Sequence, residues 1–526
     1  MPKGYVAFVL HAHLPFIRHP EYESFLEERW FFEAMTETYI PLVKNLSRIA
    51  AEGVHGKITI SLSPSLLSMM EDPLLQQRYL AHINKQVELA HKEQERNQHN
   101  GHFKWLAEVY ERLFIETRDI YTGCDCRLST RFKELSEAGC LELMTCTATH
   151  GALPILAGQP KSVRAQVKTG VEYFESVFGF RPQGLWLPEC AYAPGIDQFL
   201  RDEGIRYFLV DAHGIMHASA SPFYGVNAPI YTPSGVAAFG RDQWSTEEVW
   251  SSKKGFPGDV NYREFYRDIG FDLDYNYVHP YIAGDIRVDT GIKYYRITGH
   301  TSHKEPYNFE WARERAASHA GAFLHKRIGH ISHISGSMKV APVVVAPFDA
   351  ELFGHWWFEG PMWLDYVMRK AAYDQDVLEL TSPSAYLDRY PVHQMGVPVT
   401  STWGHKGYFE KWVNGKTDWI YPQLYECGAR MEKLAGAWKS KRPDETVGRA
   451  LNQCMRELLL AQCSDWPFII HNGTAEQYAV RRVKDHVSRF HFLADALEKD
   501  AIDETGLAVV EQMDNVFPKA DWRVFG

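Results

Sequence analysis

YVAFVL, at residues 5–10, is an apolar run that the polar sequence HAHLP, at residues 11–15, follows at once. A run that is apolar at odd and even positions alike fits a strand buried on both faces, as in a parallel sheet. Further short runs of this kind lie at 57–62, 141–144, 184–187, 207–210 and 343–346. Helical patterns separate them, for example at 163–178 and 195–203. Strands that alternate with helices predict an α/β barrel or a large doubly wound sheet.

The domain organisation follows from where this alternation breaks. A chain of 526 residues is long enough for two or three domains. Residues 74–135 are polar with a helical period, which indicates a helical insertion after the second strand. From about residue 415 the strand signals stop, and periodic stretches at 448–461 and 478–497 indicate a helical C-terminal region.

Composition excludes several functions. A formal net charge of −10 argues against nucleic acid or an anionic membrane as partner, because both attract basic surfaces. No apolar run approaches the roughly 20 residues of a membrane span, and no signal-peptide cleavage site follows the first apolar run. The eight cysteines include no C-x-x-C pair, so we expect no thiolate zinc site and a cytoplasmic protein with reduced thiols.

Aromatic residues are abundant, at 13% of the chain with 15 Trp and 27 Tyr. Such residues fill large cores, and their flat rings also stack on the apolar faces of sugars. Composition alone leaves both interpretations open.

Titratable residues follow several of the apolar runs, at the end where barrel enzymes place their active sites. Glu189 follows Leu-Trp-Leu-Pro, and Asp349 follows Val-Val-Val-Ala-Pro-Phe. Either residue alone could cap a helix or form a buried ion pair. Together at one barrel face they suit glycosidic bond chemistry, which needs a nucleophilic carboxylate and a carboxylic acid that protonates the leaving oxygen. Apolar neighbours would raise the pKa of Asp349 and suit it to the acid role.

His11 and His13 form an H-x-H pair at a predicted strand end, where both rings point to the same side. They could bind a metal together with His150 or Asp349, donate hydrogen bonds to sugar hydroxyls, or cap the strand end. The pair alone does not separate these interpretations.

Five motifs in order resemble glycoside hydrolase family 57. They are HAHLP at 11–15, ATHG at 148–151, WLPECAY at 186–192, APFDAELFGHWWFEGP at 346–361 and STWGHKGYFEKW at 401–412. Three more resemble the 1,4-α-glucan branching enzymes of that family, namely GDVNYREFYRDIGFDLDY at 258–275, TGIKYYRITG at 290–299 and SDWPFII at 464–470. The resemblance covers almost the whole chain.

This resemblance implies a (β/α)7 barrel over residues 1–400, with the insertion at 74–135, and a helical domain over 401–526 that contributes to the substrate groove. It implies a retaining transglycosylase of glycogen biosynthesis that needs no metal or other cofactor, with Glu189 as nucleophile and Asp349 as general acid/base. Its substrate would be an α-1,4-glucan such as amylose, amylopectin or a glycogen-like polymer. The remaining substrate-binding residues that it implies are His11, His13, Trp30, His150, Arg267, Gly284, Trp403, Trp412 and Asp465.

Residues 240–258 read as a long polar loop, which in branching enzymes of this family carries an aromatic residue that shields the reaction intermediate. No Tyr occupies the stretch, so Trp244 or Trp250 would have to take that role. The rival interpretations are an α-amylase or 4-α-glucanotransferase on the same scaffold, a metal-dependent deacetylase or mannosidase, and a non-catalytic glycan-binding protein.

Overall fold

A computed structural model describes residues 2–251 and 254–526. Its nine strands in the described residues are β1 Gly4–Ala12, β2 Ile58–Leu62, β3 Leu141–Cys146, β4 Leu185–Trp186, β5 Tyr207–Val210, β6 Ile230–Tyr231, β7 Ala237–Gly240, β8 Val343–Asp349 and β9 Leu378–Leu380. The helices up to β8 are α1 Glu28–Ala34, α2 Ile40–Ala51, α3 Pro64–Met70, α4 Pro73–Arg96, α5 Gly101–Thr122, α6 Leu128–Glu137, α7 Leu153–Leu156, α8 Pro160–Phe178, α9 Ile196–Asp202, α10 Ala212–Met216, α11 Gln243–Trp250, α12 Ile269–Asp272, α13 Tyr275–Val278 and α14 Phe309–Ser335. Those after β8 are α15 Gly360–Tyr373, α16 Pro383–Arg389, α17 Ile420–Lys439, α18 Glu445–Ala461, α19 Asp465–Asn472, α20 Glu476–Glu498 and α21 Glu504–Met513.

Seven parallel strands form the barrel. Pairing runs β8–β1–β2–β3–β4 in one sheet, and β5 pairs with β7 in another. A parallel bridge between Gly184 and Tyr207 joins β4 to β5, and the Asp242 amide donates to the Val345 carbonyl at 2.8 Å to join the end of β7 to β8. The order around the ring is therefore β1, β2, β3, β4, β5, β7 and β8, which confirms the predicted barrel class.

Strand β1 shows why the apolar runs predicted strands. Val6, Phe8 and Leu10 pack outward with the helices, while Ala7 and Val9 belong to the cluster inside the barrel. Both faces are buried, so the sequence carries no polar alternation. The register then pairs His11 with Ser61 of β2 on one side and with Asp349 of β8 on the other.

The two regions that were predicted to be helical are helical in the structure. Helices α4, α5 and α6 occupy the predicted insertion, and α17 to α21 form the helical C-terminal region. Helices α1 and α2 are joined by a π-helical turn, Met35–Tyr39, which makes one continuous helical segment from residue 28 to 51. No helix in the described part of the chain is long and apolar enough to cross a membrane.

Two local predictions need correction. The stretch 240–258 is not simply a loop, because Gln243–Trp250 forms α11; Ser252 and Lys253 lie outside the described residues. The side chain of Asp242 accepts from the Ser245 amide at 2.8 Å and thereby caps this helix. The strand β7 was missed, because Ala237-Ala238-Phe239-Gly240 is too short and its residues too small to stand out as an apolar run.

Candidate active site

The ends of four of the five strands in the sheet β8–β1–β2–β3–β4 bring the predicted polar residues together. His11 and His13 lie at the end of β1 and Asp349 ends β8, while His150 follows β3 and Glu189 follows β4. Parallel strands in register end at the same face of the barrel. The residues that follow these strands therefore lie close together at the carboxyl-terminal face.

The three histidines form a stacked, hydrogen-bonded group. The rings of His13 and His150 lie 3.7 Å apart between centroids, and the Nε2 atoms of His11 and His150 lie 3.0 Å apart. Burial lowers the pKa of both His11 and His150 well below 6.5, so their rings are neutral at physiological pH. The ring of His11 also stacks on Trp186, with a centroid separation of 4.5 Å.

The ring nitrogens bear on the choice between a metal and sugar hydroxyls. Each of the six already contacts a protein group. The partners are Ser61 and His150 for His11, Ser63 and Asp465 for His13, and His11 and Ser464 for His150. These rings lie close enough together to hold a metal ion, but an ion would have to break several of these contacts. The arrangement favours hydrogen-bonding and orienting roles.

Glu189 is held in place by its backbone conformation and by two donors. Its backbone is left-handed, with φ of 63°, a conformation that costs a non-glycine residue about 1–3 kcal/mol. The Trp403 indole nitrogen donates to Oε2 at 2.9 Å, and the Ser464 hydroxyl donates to Oε1 at 3.2 Å. Removal from water nevertheless raises the pKa of Glu189 to about 7.

Asp349 has a different environment. No side chain of the described residues donates a hydrogen bond to its carboxyl group, whereas Glu189 receives two. Loss of hydration, followed by the nearby charges of Glu351 and Glu189, raises the pKa of Asp349 well above its ordinary value. The pKa is raised for both groups, but only Glu189 has side-chain donors that stabilise its ionised form.

Asp465 reaches the site from α19 of the helical C-terminal region. Its Oδ2 atom lies 2.8 Å from His13 Nε2 and accepts from the Cys463 thiol at 2.8 Å. Burial alone would raise its pKa, but His13 and His150 together with the thiol hold the pKa of Asp465 below its ordinary range. The site thus contains one permanently ionised carboxylate besides the two carboxyl groups whose pKa is raised.

The other predicted substrate residues lie in three different situations. Trp403 contacts Glu189 directly, whereas Trp30 packs edge-on against Tyr478 of α20 with a centroid separation of 6.0 Å. Trp412 is only 1% exposed and packs beside Phe468, so its ring has no free face for a sugar in this conformation, and the geometry gives its predicted stacking role no support.

Arg267 and Gly284 stand apart from the carboxylate pair. The Arg267 guanidinium contacts Asp272 at 2.6 Å and lies over the Tyr295 ring. Gly284 takes a left-handed φ of 77° in the segment after the short helical turn at 279–281. Their substrate-binding roles stay predictions.

Four residues of the site were missed from the sequence. Ser464 contacts Glu189, and Trp186 stacks on His11. The Arg241 guanidinium lies over the Trp403 ring, 5.6 Å from its centroid. Glu351, two residues after Asp349, accepts from the His13 amide at 3.1 Å and from the Tyr39 hydroxyl. Three of the four carried a signal, since Glu351, Trp186 and Ser464 lie in the family motifs at 346–361, 186–192 and 464–470.

Barrel enzymes that cleave glycosidic bonds need one ionised and one protonated carboxyl group at the carboxyl ends of their strands, and this chain is of that class. The sequence signature of glycosyl hydrolase family 57 matches residues 7–400. The chain belongs to that family. A second signature, described as the C-terminal region of 1,4-alpha-glucan branching enzymes, matches residues 423–525.

The relatives that match almost the whole of this chain have two different activities in their names, branching enzyme and α-amylase. A 1,4-alpha-glucan branching enzyme of Thermococcus kodakarensis is 33% identical over 98% of this chain and 77% of its own length. The crystal structure of a branching enzyme from Pyrococcus horikoshii matches with 31% identity and a TM-score of 0.89, over 99% of this chain and 97% of that one. The structure of the α-amylase AmyC from Thermotoga maritima matches with 42% identity and a TM-score of 0.93, over 100% and 99%.

Proposed function

We propose that this chain is a retaining 1,4-α-glucan branching enzyme that uses Glu189 as nucleophile and Asp349 as general acid/base. The observation that carries the assignment is the unequal hydrogen bonding of the two carboxyl groups. Glu189 receives hydrogen bonds from Trp403 and Ser464, whereas Asp349 is desolvated beside Glu351. One group is thereby suited to be a carboxylate and the other to be an acid at the same pH.

The mechanism has two steps in which the pair exchanges one proton. The Glu189 carboxylate attacks the anomeric carbon of an α-1,4-linked glucosyl unit while Asp349 gives its proton to the departing 4-oxygen. This forms a β-glucosyl ester on Glu189 and releases one part of the chain. Asp349 then removes the proton of a glucan 6-hydroxyl, which attacks the anomeric carbon, frees Glu189 and completes an α-1,6 branch.

The side chains around the carboxylate pair assist both steps. The Trp403 and Ser464 donors orient the two oxygens of Glu189 and keep it ionised before attack. The histidine group and Asp465 form the wall on which the glucosyl hydroxyls would be positioned, and Asp465 accepts hydrogen bonds without taking a proton. We place the reaction in the cytoplasm, a reducing compartment that fits the free thiols of all eight cysteines, and we assign it to the synthesis of a glycogen-like polymer because its product is a branched α-glucan.

The test is the product formed from amylose. Branching lowers and shifts the iodine-stain absorbance while few reducing ends appear, and enzymatic debranching of the product then releases short linear chains. If reducing ends rise in step with the loss of colour and debranching releases nothing, the enzyme is a hydrolase.

Hydrolysis is the second candidate, favoured by the 42% identity to the α-amylase AmyC and by the lack of a Tyr in residues 240–258. Water and a glucan hydroxyl compete for the same ester, so both activities use the same carboxylates. Their ratio depends on how well the groove excludes water.

Glu189→Gln tests the site independently of the product. We expect turnover on amylose to fall at least about 10³-fold, because the amide does not form the ester, while equilibrium binding of maltohexaose stays within a few-fold. Glu172→Gln, an exposed change on α8, is the matched control and leaves both quantities unchanged. Unaltered turnover in Glu189→Gln would overturn the assignment.

A further inference from the structure

A cavity of about 320 Å³ lies beside the active site, between α1 with its π-helical turn, α4, α5 and the segment 281–291. This volume falls within the roughly 300–1,000 Å³ of ligand pockets. The proposed mechanism makes no use of it. Its rim carries the exposed residues Glu23, Ser24 and Lys85, and its inner part is lined by the buried residues Thr36 and Phe114, which also line a second cavity of about 170 Å³.

Gln86 supplies an unfilled polar position in this cavity. The residue is 5% exposed and lines the cavity, yet its Oε1 atom has no hydrogen-bond partner within residues 2–251 and 254–526. An unpaired buried acceptor costs about 1–3 kcal/mol, so a ligand that donates a hydrogen bond here would recover that energy. The position calls for a hydroxyl or amine donor.

The charged side chains of the lining that lie below the exposed rim residues Glu23 and Lys85 are already paired with one another or with neighbours. Arg78 contacts both oxygens of Glu28 at 2.6 and 2.8 Å, and Arg29 lies 3.1 Å from Glu33. Glu37 lies 2.6 Å from His355 Nδ1. A charged ligand inside the cavity would have to break one of these ion pairs. Hydroxyl groups can instead hydrogen-bond to the carboxylate lone pairs and guanidinium N–H groups that the ion pairs do not use.

Aromatic rings complete the lining. Phe25, Phe32, Phe114 and Tyr281 present apolar surface between the paired charges. Flat apolar surface next to paired carboxylates and guanidinium groups matches a sugar ring, which has apolar C–H faces and a rim of hydroxyls. On this basis, and given the proposed function, we propose that the cavity binds the terminal glucosyl unit of an α-glucan chain outside the catalytic centre. A chain end fits better than a chain interior because a cavity of about 320 Å³ is too small for a polymer to pass through it.

The cavity and the catalytic centre share one structural element. Glu37 and Tyr39 lie in the same π-helical turn; Glu37 lines the cavity, while the Tyr39 hydroxyl donates to Glu351 beside Asp349. A glucan that occupies the cavity would therefore contact the same helical segment that contacts the catalytic centre. The pocket would raise the local concentration of chain ends for the reaction.

The test uses the full-length Glu189→Gln protein, so that no glucan is consumed, and measures maltotriose binding by titration and by crystal soaking. We expect two sites, one in the catalytic centre and one in the cavity. Adding Gln86→Leu should weaken only the cavity site, by about tenfold or more, and Ala283→Trp should fill the cavity and abolish that site. Gln77→Leu, the same change at an exposed position of α4, should alter neither site.

Three outcomes would overturn the proposal. They are a single maltotriose site in Glu189→Gln, two sites that both Gln86→Leu and Ala283→Trp leave unchanged, or displacement of the cavity ligand by β-cyclodextrin, which has no chain end. The proposed function fails by a different result, namely no branched product from the wild-type enzyme. A wild type without branching activity that still loses one maltotriose site with Gln86→Leu would keep the cavity assignment and reject the reaction.

Discussion

At Glu189 the backbone turns through a left-handed conformation directly after Pro188, and this turn aims the carboxylate at Trp403 and Ser464. His150 is left-handed as well, with φ of 60°. With Cys190, whose φ is 48°, three non-glycine residues take this conformation at one site, which indicates that backbone strain is tolerated where it positions functional groups. The hydrogen bonds from Trp403 and Ser464 to Glu189 offset part of the free energy that this backbone strain costs.

Removing the Trp403 donor should alter the pH dependence of the reaction. The indole hydrogen bond favours the ionised form of Glu189, so Trp403→Phe should raise the pKa of Glu189 further, by about one unit. The nucleophile must be ionised, and activity therefore rises with pH through this pKa. We expect the acid limb of kcat/KM to move up by about one pH unit.

The measurement is a pH profile of amylose turnover from pH 5 to 9. Trp403→Phe should lose most at pH 6 and recover relative to wild type at pH 8, whereas a loss that is uniform across pH would indicate a stacking role alone. Ser464→Ala, which removes the second donor, should move the limb in the same direction.

At the scale of single elements, α11 differs most from its prediction. Asp242 caps this helix and lies 3.2 Å from Arg327 of α14, and Arg327 also contacts Glu248 at 3.0 Å. These hydrogen bonds connect the polar, partly exposed helix α11 to the buried guanidinium of Arg327. The polar composition of residues 240–258 concealed the helix, because its stabilising contacts are with a residue far away in sequence.

Asp242→Ala should loosen α11 more than Asp242→Asn. The alanine removes the cap and leaves Arg327 with one partner fewer, at a combined cost of about 3 kcal/mol, whereas asparagine keeps the cap. Hydrogen exchange over residues 243–250 should accelerate about 100-fold in the alanine variant and clearly less in the asparagine variant. Equal exchange in the two variants would show that capping contributes nothing.

Trp250 is the better candidate for the shielding residue. Both side chains are largely exposed, at 66% for Trp244 and 56% for Trp250, but the ring of Trp244 packs against His330 of α14 with a centroid separation of 5.7 Å, whereas Trp250 lies at the end of α11. We expect Trp250→Ala to increase the ratio of reducing ends to new branches about threefold and Trp244→Ala to leave it unchanged. The reverse pattern would assign the role to Trp244.

Much of the fold could be predicted because buried strands have an apolar sequence on both faces, as β1 and β8 do. Polar residues at strand ends then pointed to Glu189 and Asp349. Strand β7 could not be predicted, because four small residues carry little pattern. Ser464 and Asp465 follow no strand, and their place in the site depends on how α19 packs against the barrel; only the family motif indicated Asp465.

At the scale of the whole molecule, the barrel and the helical C-terminal region share one core. A single cluster of buried residues includes Phe8 of β1, Phe174 of α8, Leu459 of α18 and Trp522 near the C-terminus. Backbone contacts join them as well, since the Ser464 amide donates to the His150 carbonyl at 3.1 Å. Interfaces of this kind do not behave as flexible domain boundaries.

We therefore expect one cooperative thermal transition, despite the length of the chain. Scanning calorimetry of the full chain should give a single peak, and a substitution in the shared core such as Leu459→Ala should lower its midpoint without splitting it. Two separate peaks would contradict a shared core.

The bond between His13 and Asp465 joins residues 452 positions apart. During synthesis, the first strand leaves the ribosome long before α19 exists. A nascent chain therefore has both catalytic carboxylates but lacks the wall that Asp465 and Ser464 supply. We therefore expect the enzyme to act on the polymer only after α19 has been made, a delay that the order of its residues produces without any inhibitor.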